Sequence, residues 1–139
     1  MHDLNKFPYP FPDNYADYIL MEHVLEHLDD VVEVMNECWR ILKKEGLLEV
    51  IVPYYKSKNA FTDPTHKHFF TEKSMMYFTE EYPLDFYTVK KWKIIDFKKQ
   101  RTGFPYWHLK KYFSLDIKFL TYIPPYHELR WLLKPIKNP

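Results

Sequence analysis

The chain is 139 residues long, 46% hydrophobic and 28% charged, enough apolar material for one packed domain and too much for disorder or a fibrous repeat. Its single cysteine, Cys38, excludes a disulfide framework and a cysteine-only metal site. No apolar run reaches the roughly 18 residues of a membrane span, and MHDLNKFPYP lacks the basic and apolar regions of a signal peptide. The expectation is a single cytoplasmic domain over residues 1–139, with no membrane as partner.

With only two glycines, the chain offers no glycine-rich phosphate cradle. Aromatics reach 19%, a large flat surface for a core, a ligand or a partner. The net charge of +1 hides an asymmetry: residues 1–85 carry 8 basic and 16 acidic side chains, residues 86–139 carry 12 and 3. The basic half could bind a polyanion. Its lysines are interleaved with apolar residues, however, so a solvated strand face, or one half neutralising the other, is favoured over nucleic-acid binding.

In chain order, Pro8, Pro10 and Pro12 make the opening segment an extended loop, and Asp13-Asn14 mark a turn. Ala16 to Met21 reads as a strand buried on both faces, as in parallel sheets. A helix follows, capped by Asp29 or Asp30 with Glu33 completing a near capping box. Its apolar stripe is Val31, Val34, Met35, Cys38, Ile41 and Leu42; Lys43 and Lys44 suit its last turn and Gly46 its C′ position. LLEVIVP is then a second buried strand, completing a βαβ unit. A long polar loop runs to Thr71, which is placed to cap a short helix through about Glu81. Residues 86–101 read as strand, 102–126 are ambiguous, and HELRWLLKPIK reads as a last strand with Leu129, Trp131 and Leu133 on one face.

Chemistry gathers in MEHVLEHL, residues 21–28, where the first strand gives way to the helix. His23, Glu26 and His27 match the H-x-x-E-H order of inverted zinc proteases, but a protease needs them inside a long helix. A strand end turning into a helix is where open α/β sheets hold ligands, which makes Met21, Glu22, His23 and Leu25 candidate pocket residues. His66 and His68, in the loop after the second strand, join His23 and His27 if that loop folds back. Four imidazoles with Glu26 could ligate a divalent metal, or serve as bases near neutral pH. Cys38, on the helix stripe, reads as a buried hydrophobe.

Taken together, Asp3, Phe11-Pro12-Asp13-Asn14, Asp17, His23 to Leu28, Arg40 to Gly46 and the later DPTHKHFFTEKSM resemble the class I, S-adenosylmethionine-dependent methyltransferases of the type 11 family. The resemblance implies a partial Rossmann-like α/β fold: parallel strands plus an antiparallel C-terminal strand, corresponding to the family's fourth to seventh strands. It implies S-adenosylmethionine as cofactor, with Asp3 and Leu4 at the adenine and Met21, Glu22 and His23 at the methionine end. It also implies a small-molecule or saccharide acceptor near the 54–71 loop, with His27, His66 or His68 as base. Relatives carrying E-x-x-E-H at this strand exit bind a divalent metal, which points to His23, Glu26 and His27 as ligands here. The family's glycine-rich first loop has no counterpart, so the expectation is a truncated domain whose first strand offers a free apolar edge. A homodimer or a separate N-terminal half chain would close it, and the alternative function is a non-catalytic remnant acting as an interaction or regulatory subunit.

Overall fold

The computed structural model describes residues 2–84, 86–100 and 126–137. Strand β1 (Ala16–Glu22) leads through a 3₁₀ turn at Leu25–His27 into helix α1 (Val31–Ile41) and strand β2 (Leu42–Pro53). A one-turn helix, α2 (Asn59–Thr62), and a 3₁₀ turn at Ser74–Phe78 precede β3 (Trp92–Gln100) and β4 (Glu128–Pro135). The sheet order is β1-β2-β4-β3, with β1 and β2 parallel and β4 antiparallel to both its neighbours. The ambiguous segment 102–126 lies outside the described residues except for Tyr126. Among the described residues, no helix is long and apolar enough to cross a membrane.

The β2–β4 register explains where the core sits. Leu48, Val50 and Val52 stand directly opposite Leu133, Trp131 and Leu129, and all six are 0% exposed. Val34, Met35 and Cys38 of α1 belong to the same core. Asp30 caps α1 as expected, accepting the Glu33 N–H at 2.9 Å. The Cys38 sulfur lies 3.8 Å from that of Met21, and burial pushes its thiol up to about 12, so it is the inert hydrophobe expected.

Four expectations are corrected. The helix stops at Ile41, because Leu42 turns extended and pairs with Ala16; Lys43, Lys44 and Gly46 therefore belong to β2. Gly46 is required by close approach, since a Cβ would lie 3.0 Å from the Ala16 carbonyl oxygen. The helix after Thr71 shrinks to the turn at Ser74–Phe78, and the Thr71 hydroxyl accepts the Lys73 N–H at 3.2 Å. The strand expected over 86–101 begins only at Trp92. Lastly, β1 is not buried on both faces: Tyr18 and Leu20 are each 49% exposed, and among the described residues β1 pairs only with β2.

The face bearing Tyr18 is polar towards the sheet centre. Glu49 of β2 accepts from the Tyr18 hydroxyl and from Arg130 of β4, and these two donors hold its carboxyl below the ordinary range. Lys134 likewise pairs with Glu45, and Lys99 with Glu72 at 2.6 Å. Cations of the basic half thus neutralise anions of the acidic half, as the interleaved pattern suggested.

Glu72 gives a pH prediction. Donation from Lys99, then from Tyr54 at 2.7 Å, lowers its pKa to about 2, against about 4.3 for an unperturbed Glu. A depressed carboxyl stabilises the fold above its unfolded pKa, and the contribution disappears as pH falls from about 5 towards 2. Wild type should therefore exceed Glu72→Gln in urea midpoint at pH 7, with the gap narrowing steadily as pH falls from about 5 towards 2. A gap independent of pH would refute the ion-pair origin.

Candidate functional site

The strand-to-helix turn is built on an uncommon backbone. His23 has φ 52, in the left-handed region that a non-glycine residue enters at a cost, and its N–H donates to the Ile51 carbonyl at 2.9 Å. The 3₁₀ turn that follows buries Leu25 and Glu26. The Glu26 carbonyl accepts the N–H groups of Lys67 (2.8 Å) and His68 (3.2 Å), which draws the 54–71 loop back over the strand ends. The fold-back needed to unite the histidines therefore occurs.

It unites some of them. The His27 and His66 rings meet edge to face with centroids 4.7 Å apart. Glu26, His27 and His66 each offer a ligand atom, and these atoms all lie within 4.8 Å of one another. His68 is not in this group; its Nε2 bonds the Leu28 carbonyl at 2.9 Å. His23 stands on the other side of Glu26, its Nδ1 3.3 Å from the carboxylate and its Nε2 3.1 Å from Glu128 of β4. Of the three residues expected together, Glu26 and His27 are joined by His66, and His23 is not in that group. Together with Pro53, Asn59, Thr62 and Asp63 these residues line an open cleft of about 710 Å³.

Two partners had no sequence signal pointing to them. Glu128 lies 105 positions from His23 and meets it only because β4 inserts beside β2. The Thr65 hydroxyl donates to Asp63 at 2.7 Å and accepts from His27 Nδ1 at 2.9 Å. The Thr65 hydroxyl and backbone N–H hold the Asp63 carboxyl below its ordinary range.

A second concavity, an apolar groove of about 400 Å³, runs along the edge of β1 that pairs with no other strand among the described residues. Leu4, Tyr9, Phe11, Tyr18, Leu20 and Met21 are among its lining residues. The N-terminal segment that supplies Leu4 is strapped to α1 by Arg40, which donates to the carbonyls of Phe11 (2.8 Å) and Tyr9 (3.1 Å). Asp3 is exposed and caps the Asn5 N–H at 3.0 Å; Glu22 is exposed at the end of β1. Leu4 and Met21 thus line the groove, whereas His23 lines the cleft.

Residues 2–50 match the family model described as a methyltransferase domain. No curated protein matches the chain. Among solved structures, an S-adenosylmethionine-dependent methyltransferase from Archaeoglobus fulgidus superposes with TM-score 0.60 at 19% identity, over 96% of this chain and 65% of its own. One from Mesorhizobium loti gives 0.63 at 10% identity, over 96% and 67%. A Haloferax volcanii protein solved as a complex between the Trm112 methyltransferase activator and the putative methyltransferase gives 0.66 at 12%, over 98% and 60%. The chain spans about two thirds of the length of these relatives, and the shared fold is the mixed α/β sheet described above.

Proposed function

We propose that this chain, which carries the fold of the class I S-adenosylmethionine-dependent methyltransferases, serves methyl transfer to an oxygen or nitrogen of a small-molecule or saccharide acceptor held in the 710 Å³ cleft. The observation that carries this reading is the convergence of Glu26, His27 and His66 beside the end of β1, where Glu26 and His27 fall within residues 2–50 matched by the methyltransferase family model and His66 comes from the loop beyond it. The cofactor, when bound, supplies a methyl group on a sulfonium. The Glu26–His27–His66 cluster would take up the proton that the acceptor oxygen or nitrogen gives up on methylation.

The described residues fit only part of that cofactor. Leu4 offers an apolar contact and Asp3 an exposed carboxylate for the adenine and its amino group, while Met21 and the exposed Glu22 stand at the strand end suited to the methionine moiety. None of the groove's lining residues is a cation for the cofactor's carboxylate, and no glycine-rich turn presents backbone N–H groups there. The reading therefore includes a further βα segment laid along the free edge of β1, in the same polypeptide or another. The Haloferax relative, solved with its activator, is a methyltransferase of this fold with a protein partner.

Calorimetric titration with S-adenosylhomocysteine tests this. The chain alone is expected to bind no tighter than millimolar. Binding should reach micromolar once the part of the Archaeoglobus protein without counterpart here is supplied, as a separate fragment or fused ahead of residue 1. Micromolar binding by the chain alone would remove the partner from the reading. Absence of binding in both settings would overturn methyl transfer and leave the non-catalytic interaction subunit.

A further inference from the structure

The cleft at the end of β1 is lined by carboxylates without matching cations. Glu26, Asp63 and Glu128 stand in its wall, and among the described residues that line it none is a lysine or an arginine. Two of the three carboxylates have polar partners. Thr65 gives Asp63 both its hydroxyl (2.7 Å) and its N–H (2.8 Å), and Glu128 lies 3.1 Å from His23 Nε2. Glu26 is 1% exposed, and neither of its oxygens has a hydrogen-bond partner among the described residues. A carboxylate removed from water without a partner is strongly destabilising, and such groups are normally satisfied by a cation or by several donors.

The neighbouring rings do not supply the missing donors. His66 Nδ1 lies 2.8 Å from the Ala60 carbonyl, which can only accept, so the proton of the neutral ring is there. Its Nε2 is then a lone pair, 4.0 Å from Glu26 Oε1 and beyond hydrogen-bond reach. The neutral His27 ring likewise keeps its proton on Nδ1, where the Thr65 hydroxyl accepts it. His23 approaches Glu26 at 3.3 Å without completing a hydrogen bond. Even as an imidazolium, His23 sets one positive charge against three carboxylates. The cluster therefore presents acceptors and negative charge, with its ring protons committed elsewhere.

We propose that the cleft binds a cationic amine, its ammonium group held by Glu26 together with His27 and His66, so that the acceptor is an amine and not a hydroxyl compound. The spacing suits this group. Three acceptors set tetrahedrally about an ammonium, each about 2.9 Å from its nitrogen, stand about 4.7 Å apart. One polar atom from each of Glu26, His27 and His66 lies within 4.8 Å of the others, and His66 Nε2 is 4.0 Å from Glu26 Oε1. An ammonium brings three donors and a positive charge, the complement of a buried carboxylate beside imidazole lone pairs; a hydroxyl brings one donor and no charge. Asp63 and Glu128 extend the same sign of potential along the cleft, which draws a cation in and repels carboxylates and phosphates. At about 710 Å³ the open cleft has room for the rest of the amine. Recognition of the ammonium stands apart from methyl transfer; its identity as the methyl acceptor rests on that reading.

The test titrates the full chain, in buffer containing EDTA at pH 7, with three matched pairs followed by NMR. These are benzylamine against benzyl alcohol, ethanolamine against ethylene glycol, and glucosamine against glucose. At least one amine should bind about tenfold tighter than its neutral counterpart and shift the ring signals of His27 and His66. Glu26→Gln, which keeps the shape and removes the charge, should abolish that preference. Glu45→Gln, the same exchange at an exposed carboxylate of β2 outside the cleft, should keep it. Thermal melts guard against misfolding: Glu26→Gln should melt at or above wild type, because a buried unpaired charge is gone. Amines no tighter than their neutral counterparts in all three pairs, or a preference unchanged in Glu26→Gln, would overturn the amine site. The S-adenosylhomocysteine titration reports separately. Its binding without any amine preference would remove the amine and leave methyl transfer; an amine preference in a protein that never binds it would refute methyl transfer alone.

Discussion

Trp131→Ala is expected to lower the free energy of unfolding by about 4 kcal/mol, read from urea denaturation with an unchanged m-value. Trp131 is 0% exposed and sits in β4, the strand between β2 and β3, so its indole meets side chains from both neighbours. Val50 is its register partner on β2; Phe97 is its partner on β3, with ring centroids 5.3 Å apart. Truncation removes the transfer free energy of the indole and leaves a cavity that two hydrogen-bonded neighbours cannot collapse to fill. Domains of this size are stable by roughly 5–15 kcal/mol, so the variant should be close to unfolded at 37 °C. A loss under 1 kcal/mol would mean that β4 is not the centre of the sheet.

That position could be read from the sequence in part. The alternation of Leu129, Trp131 and Leu133 marks a strand with one buried face, and the structure buries all three. Alternation says which face is inside; it does not say between which strands the element lies, because register with β2 and β3 is a long-range property. The same division holds at the first strand. The apolar run at Ala16 identifies β1, but a run alone cannot distinguish a strand covered on both faces from one whose edge is open, and Tyr18 and Leu20 are half exposed. The end of α1 is set by a tertiary contact that composition does not show. Lys43, Lys44 and Gly46 are a good helix terminus by composition, yet pairing of Leu42 with Ala16 and the tight approach at Gly46 draw the chain into β2 first.

The candidate site divides similarly. His23, Glu26 and His27 are adjacent in sequence, and their place at a strand exit was legible from the buried run before them. What spacing could not give was the backbone hydrogen bonding of Lys67 and His68 to the Glu26 carbonyl. That bonding selects His66 for the cluster and turns His68 towards Leu28. Two histidines two residues apart look equivalent in a loop, and a local bend places them in different surroundings. Nor does sequence reveal that Glu26, a residue type almost always solvated, is buried with no hydrogen-bond partner for its carboxylate among the described residues.

Arg40→Leu should cost about 3 kcal/mol at pH 7, and the loss should shrink as pH falls. Arg40 donates through Nε and Nη2 to Glu37 at 2.8 Å each, and its Nη1 reaches the Asp13 carboxylate at 2.7 Å. Glu37 is 4% exposed and also accepts the Tyr9 N–H at 2.7 Å. Removing the guanidinium leaves a buried carboxylate with one backbone donor, which is costlier than losing the pair outright. The pH dependence follows from the sign of the shift. Arg40, then the Tyr9 N–H, hold the Glu37 carboxyl below its ordinary value against the opposing effect of burial. In wild type its stabilisation is present above the ordinary carboxylate range and is lost as pH falls through the depressed value. In the variant, burial acts without its counter-ion, so Glu37 takes up its proton at higher pH and the orphaned charge disappears. Wild type and variant should therefore converge between pH 7 and pH 3, and Arg40→Leu combined with Glu37→Gln should recover part of the loss at pH 7. Because Arg40 also holds the carbonyls of Tyr9 and Phe11, limited proteolysis should open the segment before β1 in the single variant. That segment carries Asp3 and Leu4, so the strap that stabilises α1 also sets the groove wall against which a cofactor would lie. A pH-independent loss, or a segment as protease-resistant as in wild type, would show that Arg40 acts through packing and not through Glu37.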